Sequence, residues 1–222
     1  MPTEKPTFSD FVRWSLAVCS SGLKIIWYKL YKRKVTVSQF AEGLLFIGNT
    51  QSERLFKKII ENESLSDETR SELEWEIFFF TFALVYILIG LMSSVNRKSE
   101  IVSRYLELYQ NTMNESFSEN AKSLYKELLK RIKLYEIAWR IGETKSIAKL
   151  LLNLLFMIRT GSNRGDFIKG YIRHAESPDK NISEYYTRSW FPSAHGLTLI
   201  LETFNDLASS INFQVKHFSL TG

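Results

Sequence analysis

The chain has 222 residues, of which 45% are hydrophobic and 24% charged, the balance of a globular domain and not of a disordered one. Its 4 prolines and 10 glycines leave room for few turns, which points to long helices. The single cysteine, Cys19, excludes an internal disulfide and fits a reducing compartment, and the net charge of +5 permits contact with nucleic acid or anionic lipid without demanding either.

In chain order, nearly every segment reads as helix. Residues 1–6 read as a mobile end. Thr7-Phe8-Ser9-Asp10 opens a first helix with Phe8, Phe11, Val12 and Leu16 on one face. The apolar run after Arg13 is short and is interrupted by Ser20, Ser21 and Lys24, so it does not read as a secretory signal. A basic, aromatic stretch follows, from Lys24 to Lys34. Its candidate binding residues are Lys24, Trp27, Lys29, Lys32, Arg33 and Lys34. Such a mixture suits anionic lipid headgroups or a nucleic-acid backbone with stacked bases. The simpler reading sends the rings into the core and leaves the lysines wet.

Val35-Thr36-Val37 is a short β-like piece. A helix then runs through Phe40, Leu44 and Ile47 and ends at Gly48-Asn49. Thr50-Gln51-Ser52-Glu53 has the capping-box form and opens another helix, to about Glu61. Gly43 to Thr50 also has the glycine spacing of a phosphate-binding loop. Asn49 stands where that loop needs lysine, and its interior is apolar, so an amphipathic helix accounts for it better.

Ser66 caps the most apolar segment of the chain. From Ile77 to Met92 there is no charge, and the run is about as long as a bilayer requires. Basic residues flank it on both sides (Lys57, Lys58 and Arg70 before; Arg97, Lys98 and Arg104 after), whereas a single span shows a bias. The stripes Phe40/Leu44/Ile47, Leu124/Leu128/Ile132/Tyr135 and Leu197/Ile200/Leu201/Phe204 are one-sided and need an apolar partner. The segment is therefore read as the spine of a core. Glu72, Glu74 and Glu76 in its first turns suit the helix dipole and solubility.

Arg97 to Asn114 carries Ile101, Tyr105, Leu108 and Tyr109 on one face. Ser116-Phe117-Ser118-Glu119 again has the capping-box form. The helix after it places Ala121, Leu124, Leu128, Ile132, Tyr135 and Trp139 at helical spacing, with Lys122, Lys126, Lys130 and Lys133 as its solvated face. Gly142 stops it. Ile147 to Ile158 is a second very apolar helix and the expected companion of the spine. Thr160 to Asn163 is a turn, and Asp166 to about His174 a short helix. Pro192 separates a last pair, Ser183–Arg188 and Ser193–Ser209. The tail, 212–222, reads as loose or strand-like.

Little chemistry stands out. Arg188 and His195, separated by six residues, are the candidate catalytic pair. Their spacing resembles the Arg-x(4–6)-His motif of the all-helical HEPN-superfamily ribonucleases. That resemblance, over eight residues, implies His195 as acid or base and Arg188 as the phosphate holder; Pro192 breaks the helix between them. His174, His195, His217 and Cys19 show no ligand spacing, and no Glu-x-x-His occurs, so no metal or cofactor is expected.

These readings predict one all-α domain over residues 1–222, a helical bundle of about six to eight helices around a central hydrophobic helix. The expected function is a non-enzymatic helical interaction or adaptor protein of the cytoplasm, with a protein partner whose identity the sequence does not give. Two alternatives stand beside it. One is a membrane-associated protein using segment 24–34 and helix 77–95. The other is a nucleic-acid-binding protein or HEPN-like ribonuclease acting through Arg188 and His195.

Overall fold

The computed structural model describes residues 33–60, 63–91, 97–117, 120–176 and 194–221. In chain order these form β1 (Arg33–Val35), α1 (Val37–Ile60), α2 (Asp67–Leu91), α3 (Lys98–Phe117), α4 (Ala121–Thr160), α5 (Arg164–Glu176), α6 (Ala194–His217) and β2 (Phe218–Leu220). The expected all-α bundle with a central apolar helix is what forms. The helix expected near the N-terminus, the stretch up to Lys32 and the helix expected at Ser183–Arg188 lie outside the described residues.

Local chemistry sets several helix ends. Thr36 and Gln39 form a reciprocal capping box at α1: the Thr36 N–H donates to Gln39 Oε1 at 3.0 Å, and the Gln39 N–H to Thr36 Oγ1 at 3.2 Å. Ser66 caps α2 through the Thr69 N–H at 3.2 Å, as its sequence position predicts. Gly161 closes α4 in the left-handed conformation (φ 65°), with its own N–H donating to the Ile158 carbonyl. Asn163 accepts from the Asp166 N–H at 3.3 Å and so opens α5.

Elsewhere packing overrides the local signal. The break expected at Gly48-Asn49 is absent, and α1 runs unbroken from Val37 to Ile60. Gly48 is a point of close approach: a Cβ there would lie 3.5 Å from both the Tyr105 hydroxyl and Val85. Ser116 lies in the last turn of α3 and not ahead of α4, and Asn120, which precedes α4, makes no side-chain cap bond. Helix α6 continues past Ser209 to His217, because Leu207, Ile211 and Gln214 extend its buried face.

Gly142 does stop a helix, but the chain re-enters helix at once. Gly142 (φ −168°, ψ 35°) and Glu143 (φ 52°, ψ −141°) are non-helical and divide α4 into two limbs. In the first limb, Arg131 and Tyr135 bond Glu76, and the Tyr135 ring packs on Phe80 one turn further along α2. This limb therefore runs beside α2 in the same direction. A straight continuation would carry Arg159 roughly 36 Å beyond Tyr135. Instead Arg159 donates two hydrogen bonds of 2.8 Å to Glu63, ahead of the N-terminus of α2. The second limb doubles back.

Helix α2 is enclosed. Every residue from Ile77 to Val85 is buried, as are Ile87, Leu88 and Ile89, and α1, α3, α4 and α6 all pack on it. Among the described residues it is the one helix long and apolar enough to cross a membrane, and 78% of its most apolar window is buried inside the protein. Phe82 stacks on Tyr105 with centroids 4.2 Å apart, and Phe78 on Tyr109 at 5.6 Å. Burying each Phe, Leu or Ile of this stretch stabilises by roughly 1.5–3 kcal/mol. Arg131 and Tyr135, which bond α2, belong to the first limb of α4; the second limb, from Ile147 to Ile158, is almost wholly buried.

One charged pair sits inside this core. Glu76 is buried rather than placed in the solvated first turns, and so is Arg131. Arg131 Nε lies 3.0 Å from both carboxylate oxygens and Nη2 lies 2.9 Å from Oε2. The Tyr135 hydroxyl donates to Oε1 at 3.0 Å, and Glu127 takes the remaining Nη1 of Arg131 at 3.1 Å. Glu72, by contrast, reaches Arg164 of α5 at 2.7 Å near the surface. Half-buried Glu74 has its pKa raised by that burial, against the pull of Arg70.

Glu143 occupies a backbone region that is essentially glycine's alone, at a cost of about 1–3 kcal/mol. Glu143→Gly is expected to gain about 1 kcal/mol and raise the thermal midpoint by about 2–4 °C; a lower midpoint in calorimetry contradicts the strain. Glu76→Ala leaves Arg131 charged, buried and stripped of its main partner, and is expected to cost about 3–5 kcal/mol in urea unfolding. The paired change Glu76→Leu with Arg131→Met is expected to recover most of that loss.

Candidate interaction surface

The two short strands bring distant parts of the chain to one end of the bundle. β1 and β2 pair in parallel, with Arg33 opposite Phe218, Lys34 opposite Ser219 and Val35 opposite Leu220. A parallel pair cannot be joined by a tight turn, and here α1 to α6 lie between the strands. Thr221 extends the clasp: its N–H and its hydroxyl both donate to the Val35 carbonyl, at 2.9 and 3.3 Å. Arg97, paired with Glu100, donates to the Thr221 carbonyl at 3.0 Å, and the Lys98 ammonium donates to the Gly90 carbonyl at 2.9 Å. The ends of α2 and α6, the start of α3 and both strands thus meet.

Two large apolar side chains stand in water at this end. Leu91, the last residue of α2, is 52% exposed, and Phe213, in the closing turns of α6, is 56% exposed. The Phe213 ring packs against His217 with centroids 4.2 Å apart. Lys34 of β1 and Lys216 of α6 are exposed at this end as well. Among the described residues each strand of the two-stranded sheet keeps one unpaired edge, which is a template for a further strand.

The sequence-derived binding residues enter the described structure only at their far end. Lys34 lies on β1 with its side chain exposed, and the Arg33 backbone pairs in the same strand. Lys24, Trp27, Lys29 and Lys32 fall outside the described residues, and so does Arg188. His195 falls in the first turn of α6, which begins at Ala194. Among the described residues no group of His, Cys, Asp or Glu side chains is placed to hold a metal ion.

A second set of polar groups escaped the sequence reading. Asn49 and Ser52 of α1 are buried, as is Tyr105 of α3, whose hydroxyl borders Gly48. Neither the Asn49 amide, the Ser52 hydroxyl nor the Tyr105 hydroxyl has a hydrogen-bond partner among the described residues. Burial holds the Tyr105 and Tyr109 phenols well above their ordinary pKa, so both remain neutral. The signal was present in α1: the spacing Ala41, Leu44, Gly48, Ser52, Leu55 keeps one helical phase through the supposed break. The arrangement is a polar seam between α1 and α3, closed off from solvent, and nothing in it is set for acid–base or nucleophilic work.

No protein-family model matches the chain, and neither does any curated protein or any solved structure.

Asn49→Leu replaces an unpartnered buried amide with an apolar side chain of similar volume. It is expected to raise the urea midpoint, by about 1–3 kcal/mol of stability. A lower midpoint would show that the amide is engaged in the folded protein.

Proposed function

We propose that the protein is a non-enzymatic helical interaction protein, and that it binds a protein partner at the strand end of the bundle. The observation that carries this reading is the exposure of Leu91 and Phe213 there, on the ends of helices whose other apolar residues are nearly all covered. Large apolar side chains near a free strand edge suit the hydrophobic anchors of an interface, with an extended segment of the partner pairing along the edge. Lys34 and Lys216 supply a basic rim and favour a partner with acidic residues around its apolar contact. The charged groups of the interior support the same reading, since they hold helix to helix and are closed to a substrate.

The test is affinity purification of the full chain, with co-eluting proteins identified by mass spectrometry, beside the double variant Leu91→Ser, Phe213→Ser. Both side chains are exposed, so the variant is expected to keep its circular dichroism and thermal midpoint. A partner whose affinity falls at least tenfold in the variant, which is about 1.4 kcal/mol, supports the surface. Partners retained equally by both proteins reject it.

A further inference from the structure

The first limb of α4 carries a different surface, independent of the strand end. Lys122, Lys126, Lys130, Lys133 and Arg140 are all exposed and recur at spacings that keep them on one helix face. Together they form a ridge roughly 27 Å long. Two acidic side chains lie on the same limb. Glu127 engages buried Arg131 at 3.1 Å and Lys130 at 3.2 Å, and the charge of Glu136 adds to the burial that raises the pKa of Tyr86 on α2. The exposed arc is therefore predominantly cationic, with Glu136 and exposed Glu143 the acidic residues toward its Arg140 end.

Two apolar side chains interrupt it. Leu129 is 42% exposed and lies one turn from both Lys126 and Lys133; Ile141 is 39% exposed and adjoins Arg140. Set among the cations, they give the face an apolar component beside its charge. We propose that this ridge docks the protein on an anionic lipid surface. The ammonium groups meet headgroup phosphates and carboxylates, while Leu129 and Ile141 enter the boundary between headgroups and acyl chains. A nucleic acid fits less well. None of the ridge residues is aromatic, so bases have nothing to stack on, and four of the five cations are lysines rather than phosphate-forking arginines. Leucine and isoleucine gain little against a sugar–phosphate backbone.

The experiment is co-sedimentation of the full chain with vesicles of phosphatidylcholine alone and of phosphatidylcholine mixed with phosphatidylserine, at low and high salt. The protein is expected to sediment with the serine-lipid vesicles only, and to be released as salt rises. The triple variant Lys126→Gln, Lys130→Gln, Lys133→Gln is expected to bind about fivefold more weakly per lysine removed, on the order of a hundredfold in total. Leu129→Ser is expected to weaken vesicle binding while leaving any binding to a DNA duplex unchanged. All four positions are exposed, and an unchanged thermal midpoint confirms that the variants fold. Failure to sediment with the serine-lipid vesicles overturns the proposal. So does vesicle binding that survives the triple substitution, which moves the contact to another basic segment. Duplex DNA bound more tightly than the vesicles, and lost in the triple variant, overturns it in favour of nucleic acid.

Discussion

A helix that is apolar on every side must be covered on every side, and the rest of the bundle follows from satisfying that demand for α2. Four helices are needed around it, and the chain supplies α1, α3, α4 and α6. Close cover requires small residues at the tightest approach, which is why Gly48 meets α2 and α3 instead of ending α1. The same demand carries Asn49 and Ser52 into the interior as part of a helix too long to be broken there. It also folds α4 back on itself, since one straight rod of that length would run past the end of α2 and leave both unprotected.

Within this apolar setting the Glu76–Arg131 pair acts on register. Two desolvated charges add little net stability over a well-packed apolar pair. Sliding α4 along α2 by one residue, however, would swing Arg131 off the carboxylate and leave two unpaired charges in the core. Tyr135 narrows the choice further, because its hydroxyl bonds Glu76 while its ring packs on Phe80. The pair selects one alignment among several that hydrophobic burial alone would tolerate. Surface pairs such as Lys58–Glu202, exposed on both sides, do no comparable selecting.

The division of labour between inside and outside shapes the functional reading. The buried titratable groups serve packing and alignment. Among the described residues, the strand end exposes Leu91 and Phe213, and the first limb of α4 exposes a row of lysines. These surfaces differ in chemistry, one apolar with a strand edge and one cationic with isolated apolar contacts.

By itself the sequence determined that the chain is predominantly helical, that the apolar run starting at Ile77 forms the spine, and that Ser66 begins a helix and a turn follows at Gly161, because amphipathic period and capping chemistry are local properties. The lysine face of α4 was legible for the same reason. Only the tertiary structure decided that Gly48 packs instead of breaking, that Ser116 ends α3, and that Glu76, four residues from solvated Glu72 in the same helix, is buried against Arg131. It also decided that two strands far apart in the chain pair at the end of the bundle where Leu91 and Phe213 are exposed. These features depend on which groups from distant segments come within a few ångströms of each other, and the energy of a buried charge, an unpaired amide or a glycine contact is set by that neighbour rather than by the residue's own place in the chain.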